Sequence, residues 1–161
     1  MNIFVLDQDP IKAAQFHADK HCIKMILEHC QMLSTALRVH SNDSLDGIYK
    51  QAHLNHPCSK WVRQTRANFF WLCEMTEGLF QEYTRRYGKH HKSYSVFEVC
   101  KNHANFIPEG ELTDFALAMP EEYKNPDAVI AYRNYYLNDK KDFAKWKMGN
   151  VPYWWNIPLT A

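Results

Sequence analysis

The stretch HADKHCIKMILEHCQMLSTALR, residues 17–38, decides how this chain is read. His21, Lys24, Glu28, Gln31 and Thr35 follow one another at alternating steps of three and four. That spacing keeps them on one face of an α-helix, with Arg38 continuing the row. Ile23, Ile26, Leu27, Cys30, Leu33 and Leu37 are assigned to the other side, so the helix is expected to bury an apolar stripe and turn an acid, bases and amides toward a cleft. The plain reading of such a row is a solvated outer face, which is the common fate of charged helix surfaces.

Outward from this helix, punctuation marks the other elements. Asp9-Pro10 supplies a cap and a first-turn proline for a short helix ending near His17. Ser41 to Ser44 with Gly47 forms a loop by composition. His56-Pro57 opens a third helix, expected to run from about Ser59 to Tyr87 and to stop at Gly88, because Trp61, Thr65, Phe69, Leu72, Thr76, Leu79 and Tyr83 hold one helical stripe. A short helix fits Tyr94 to Asn102, and a brief helical turn fits Thr113 to Ala118. Asn125-Pro126 opens a last helix expected to reach Trp146, with Val129, Tyr132, Tyr136 and Phe143 facing inward. No segment after Leu6 alternates like a strand. The expectation is an all-α fold, one domain over residues 1–161 of about five helices.

Composition narrows the partners. The net charge of +1 gives no global basic field, so any nucleic-acid contact must come from local clusters. Lys60, Arg63 and Arg66 lie at the start of the third helix and Arg85, Arg86, Lys89 and Lys92 at its end, about 30 Å away. Lys124, Arg133, Lys140, Lys141, Lys145 and Lys147 surround the last helix. Tyr153, Trp154 and Trp155 beside these lysines fit either a stacking platform for bases or an aromatic lid on the core. Five cysteines without a CxxC pair read as reduced, buried thiols. The apolar run at the N-terminus is too short for a signal peptide and no stretch reaches membrane-spanning length, so an intracellular, cytoplasmic, soluble protein is expected. His17 and His21 have metal-ligand spacing, but with no HExxH motif they read as satisfied polar histidines, and no metal or cofactor is expected.

The N-terminus offers one further chemistry. An α-amino group has a reference pKa near 7.7 to 8.0 against about 10.4 for lysine, so its neutral, nucleophilic fraction at pH 7 is larger by roughly two and a half orders of magnitude. A buried terminal amine can therefore attack a sugar C1′ where a free lysine is protonated. The competing reading is that Ile3, Phe4, Val5 and Leu6 merely plug the core while the amine is solvated.

Several residues together resemble the phage and bacterial pyrimidine-dimer DNA glycosylase/AP lyase family. Lys20-His21, followed seven residues after His21 by Glu28, resembles that family's Gln-His and catalytic Glu. Arg38 and His40 are similar to the basic end of the same helix. Met119 to Lys124, a helix rich in Ala and Lys, Trp146 and the Tyr153-Trp154-Trp155 tail are similar in order and spacing to the closing segment. The resemblance implies a compact helical domain with its N-terminal segment threaded between helices. It also implies an imine between the terminal amine and deoxyribose, followed by β-elimination, on duplex DNA that is bent with a base extruded. On that carry-over the amine of Met1 or Asn2 is the nucleophile, Glu28 the acid/base, and His21 a neighbour of the site. The family's basic residues beside the Glu are here Leu27 and Gln31, with Lys24 the nearest substitute. Residues expected to contact substrate or DNA are His21, Lys24, Gln31, Arg63, Arg66, Lys124, Arg133, Lys140, Lys141, Lys145, Tyr153 and Trp154. The competing reading is a non-catalytic phage accessory protein that binds a nucleotide, a modified base or a protein in the cleft of His21, Lys24, Glu28 and Gln31.

Overall fold

Residues 1–155 are described by the computed structural model, so the last six positions of the expected 1–161 domain lie outside the described residues. The described residues form six α-helices and no strand. These are α1 (Pro10–Phe16), α2 (Asp19–His40), α3 (Pro57–Gln64), α4 (Arg66–Tyr87), α5 (Tyr94–Asn102) and α6 (Ala128–Asp139). The all-α expectation holds.

Asp9 caps α1 through its side chain, which accepts from the Ile11 and Lys12 amides, and Gly88 closes α4 in the left-handed conformation at φ 67°. Both follow the sequence signals. Gly78 lets α1 and α4 approach closely, since a Cβ there would lie 2.8 Å from the Ala14 Cβ.

The expected helix from Ser59 to Tyr87 is two helices. Thr65 is extended at φ −140°, ψ 155°, and its hydroxyl accepts from the Asn68 amide, so it caps α4. The first amides of α4 are taken by a later loop, with Arg66 N–H bonding Pro108 O and Ala67 N–H bonding Gly110 O. The Thr113 to Ala118 segment is not helical. Its backbone is satisfied by side chains instead: Thr113 N–H donates to Asn68 Oδ1, and Ala118 N–H to the Tyr132 hydroxyl. The last helix starts at Ala128 with Asp127 as its cap and ends at Asp139. Beyond it the chain straps across the α1–α2 junction, where Asp19 N–H bonds Lys145 O and Trp146 Nε1 donates to Phe16 O. Phe143, expected inside, is half-buried.

Two further corrections concern α2 and α4. The buried side of α2 runs through His21, Cys22, Met25, Ile26, His29, Cys30, Met32 and Leu33, while Ile23 and Leu27 are exposed at 43% and 38%. The core accepts two histidines in their place because each has a partner: His29 Nδ1 lies 3.2 Å from the Thr76 hydroxyl and His21 Nδ1 2.7 Å from the Tyr136 hydroxyl. Arg86, read as part of a basic surface cluster, is buried and joins α4 to the α1–α2 junction through Glu82, Asp19 and the His17 and Gln15 carbonyls. All five cysteines are buried and unpaired.

Candidate active site

Residues 2–6 enter the core without regular secondary structure, the Leu6 N–H turning back to Phe4 O at 2.9 Å, with Asn2, Ile3, Phe4, Val5 and Leu6 all buried. Ile3 and Val5 meet Cys58, Trp61, Phe115 and Ala116. Phe4 stacks on His21 at 4.4 Å and contacts Tyr132 and Tyr136 edge-on. The segment is thus threaded between helices, anchored at Leu6 by the Arg133 Nε donating to its carbonyl.

Asn2 sets the register of the terminus. Its Nδ2 donates to Ala118 O at 2.8 Å, and its Oδ1 accepts from the Ile3 amide at 2.8 Å and from the Cys58 thiol at 3.5 Å, with the Tyr132 hydroxyl 3.2 Å away. The Met1 amine lies 2.8 Å from Glu28 Oε1, and the Glu28 side chain is only 12% exposed. Glu28 Oε2 is buried without a hydrogen-bond partner among the described residues; Lys24 Nζ lies 3.8 Å from it. One carboxylate oxygen therefore binds the amine and the other, with Lys24 as its nearest cation, accepts no hydrogen bond from the described residues.

The helical row found in the sequence divides around this pair. Lys24 is exposed and Gln31 half-buried, next to Glu28 on α2. His21 is buried behind Phe4 and contributes no surface to a cleft; burial, and then the charges of His17 and nearby lysines, push its pKa down to about 2. Thr35 is also buried, exchanging hydrogen bonds with the Ala52 backbone. The cleft of His21, Lys24, Glu28 and Gln31 is corrected accordingly: His21 supports Phe4 from within.

The expected DNA contacts fall into two groups. Arg63 donates to Leu54 O, and Arg66 to the Ile107 and Asn105 carbonyls with Glu109 beside it, so both guanidiniums brace loops. Arg133 pairs with Asp7 and stacks over Trp154, Lys124 pairs with Glu121, and Lys140 lies over the Tyr135 ring. Lys141 and Lys145 are exposed. Trp154 is 1% exposed, so its ring has no face for a base and acts as the lid, whereas Tyr153 is 68% exposed. Arg38, from the similar basic helix end, clamps the Ile48 and Tyr49 carbonyls.

The sequence reads His56 as a helix opener. In the structure its Nδ1 accepts the Cys58 amide and caps α3, and Cys58 touches Asn2. Burial, then the Met1 ammonium and His53, hold its pKa below the ordinary value, with Glu28 acting the other way. His53 itself adopts φ 48°, rare for a residue with a Cβ. The signal in the sequence is the His-x-x-His-Pro run at 53–57.

Among the described residues no group of His, Cys, Asp and Glu is arranged to hold a metal ion, and no helix is long and apolar enough to cross a membrane. No curated protein and no solved structure matches the chain significantly. A family model described as pyrimidine dimer DNA glycosylase does match, over residues 1–95, a span that holds Met1, Lys24, Glu28, Gln31 and the α3 cap. With more than half of its length in that match, the chain belongs to the pyrimidine dimer DNA glycosylase family.

Proposed function

We propose that the protein is a DNA glycosylase with AP lyase activity whose nucleophile is the α-amine of Met1. Family membership supports glycosylase chemistry on DNA, and the single observation that carries the mechanism is the 2.8 Å contact between that amine and Glu28 Oε1. Asn2 is too thoroughly hydrogen-bonded through its side chain to exchange places with Met1, which favours residue 1 over residue 2 as the reacting end.

In this reading the amine nitrogen attacks C1′ of the damaged nucleotide and the glycosidic C–N bond breaks, its electron pair leaving with the base. Glu28 takes the proton released by the nitrogen. Opening of the sugar ring, with O4′ protonated, leaves an imine between Met1 and C1′. Loss of a C2′ proton then expels the 3′ phosphate by β-elimination, and water hydrolyses the imine to free the amine. Glu28 Oε2, buried and without a hydrogen-bond partner among the described residues, is the oxygen available for the sugar's protons. Lys24, 3.8 Å from the carboxylate, is placed to face a flanking phosphate.

A kinetic comparison of wild type with Glu28→Gln tests the assignment. The substitution keeps shape and removes the base, so base release and strand cleavage are expected to fall by roughly 10² to 10⁴ while the fold is retained. Unchanged rates in a folded Glu28→Gln protein contradict the role given to Glu28.

A further inference from the structure

Ile23 and Leu27 stand one helical turn apart on α2 and are 43% and 38% exposed. Lys20 and Lys24 alternate with them and are exposed as well. The four form one strip, aliphatic and cationic by turns, that ends one residue before Glu28. A single exposed leucine is ordinary. A pair at i, i+4, framed by two cations, has a position that matters here: the strip joins the amine site through Lys24, whose Nζ lies 3.8 Å from Glu28 Oε2, while Glu28 Oε1 holds the Met1 amine.

We propose that Ile23 and Leu27 are a wedge that enters the base stack of duplex DNA next to the damaged nucleotide, with Lys20 and Lys24 holding the phosphates on either side. The proposal rests on the reading of the amine site as the reacting centre. Its occupant is fixed by chemistry. Lysines carry the charge that phosphates complement, while aliphatic side chains have no donor or acceptor with which to read a base edge and act instead by parting neighbouring bases. In stacked duplex the base shields C1′ from a buried amine, and a nucleotide must leave the stack before the amine can reach it. A wedge without hydrogen-bonding groups selects weakened stacking rather than sequence, which suits an enzyme that acts on a lesion in any sequence context.

The test uses the full-length protein and a duplex with a thymine dimer flanked by 2-aminopurine, whose fluorescence rises on unstacking. Wild type is expected to raise the fluorescence, and the Ile23→Ala/Leu27→Ala double variant to lose that rise at saturating protein. Base release from the same duplex should fall at least about tenfold in the double variant. Borohydride trapping on a single-stranded abasic oligonucleotide, which requires no unstacking, should stay within about twofold. An Ile23→Leu/Leu27→Met variant, keeping aliphatic bulk, should recover the fluorescence. If the double variant unstacks the duplex as wild type does, if wild type never unstacks it, or if abasic trapping falls as far as base release, the wedge is wrong. Wild type that unstacks the duplex but forms no adduct retains the wedge and removes the imine mechanism.

Discussion

The Met1 amine is held against Glu28 next to an Asn2 side chain bonded to a carbonyl, a backbone amide and the Cys58 and Tyr132 side chains, so the reactivity assigned to one residue depends on the hydrogen bonds of the next. Asn2→Ala should therefore leave a folded protein with a misplaced amine. Loss of two or more buried hydrogen bonds costs roughly 1–3 kcal/mol in stability, and small misplacements of a nucleophile cost about 10²-fold in rate. An Asn2→Ala protein with wild-type cleavage rates contradicts this dependence. At the same scale, His17, His21 and His29 are buried and held neutral, all with pKa values pushed down by burial, to about 4 for His17 and about 2 for His21. The sign follows from linkage: above about pH 6.5 these histidines are neutral folded or unfolded, and below it only the unfolded chain takes up their protons. Stability should thus be full at pH 7 and fall as the pH drops through 6 and 5, by up to about 1.4 kcal/mol per pH unit for each histidine. Urea unfolding midpoints measured from pH 7 to 5 check this, and a flat profile contradicts it.

At the scale of elements, the α1–α4 contact turns on Gly78. Gly78→Ala places a methyl 2.8 Å from the Ala14 Cβ, and overpacking of this kind costs about 1–3 kcal/mol against the roughly 1 kcal/mol that alanine gains in helix propensity. A net loss in thermal stability is expected, with Ala14→Gly in the same chain restoring it. Helix ends were legible where the signal is local: Asp9, Gly88 and the Tyr94 to Asn102 segment came out as their side chains imply. They were illegible where distant groups decide. Thr65 lies on an unbroken helical stripe, and the break there comes from carbonyls of Pro108 and Gly110 more than forty positions away. Thr113 to Ala118 loses its helix to Asn68 and Tyr132. The buried side of α2 is illegible for the same reason, since hydropathy assigns Ile23 and Leu27 to the core and the partners on Thr76 and Tyr136 admit His29 and His21 instead. The sequence singles out Glu28 and the terminus, and the fold brings them into contact; the anchoring by Asn2 and the place of His56 depend on segments that meet only in the fold.

For the whole molecule, the net charge of +1 gives no global basic field, and the internal engagement of Arg63, Arg66 and Arg133 takes those three cations away from phosphates. Lys20, Lys24, Lys141 and Lys145 are exposed. With these four lysines as the phosphate contacts, binding to duplex DNA should weaken with salt along a log–log slope of about −4, at about −0.9 per contact; a slope near −8 contradicts that assignment. Such modest attraction leaves discrimination to the site itself. The measurement that reaches the centre of the account is borohydride reduction during incubation with abasic duplex, followed by peptide mapping. An imine reduced in place becomes a permanent protein–DNA cross-link, and the account predicts that the link maps to the Met1 α-nitrogen and disappears when a tag extends the N-terminus. A cross-link mapped to Lys24 or to any other internal lysine, or one that survives the extension, contradicts it.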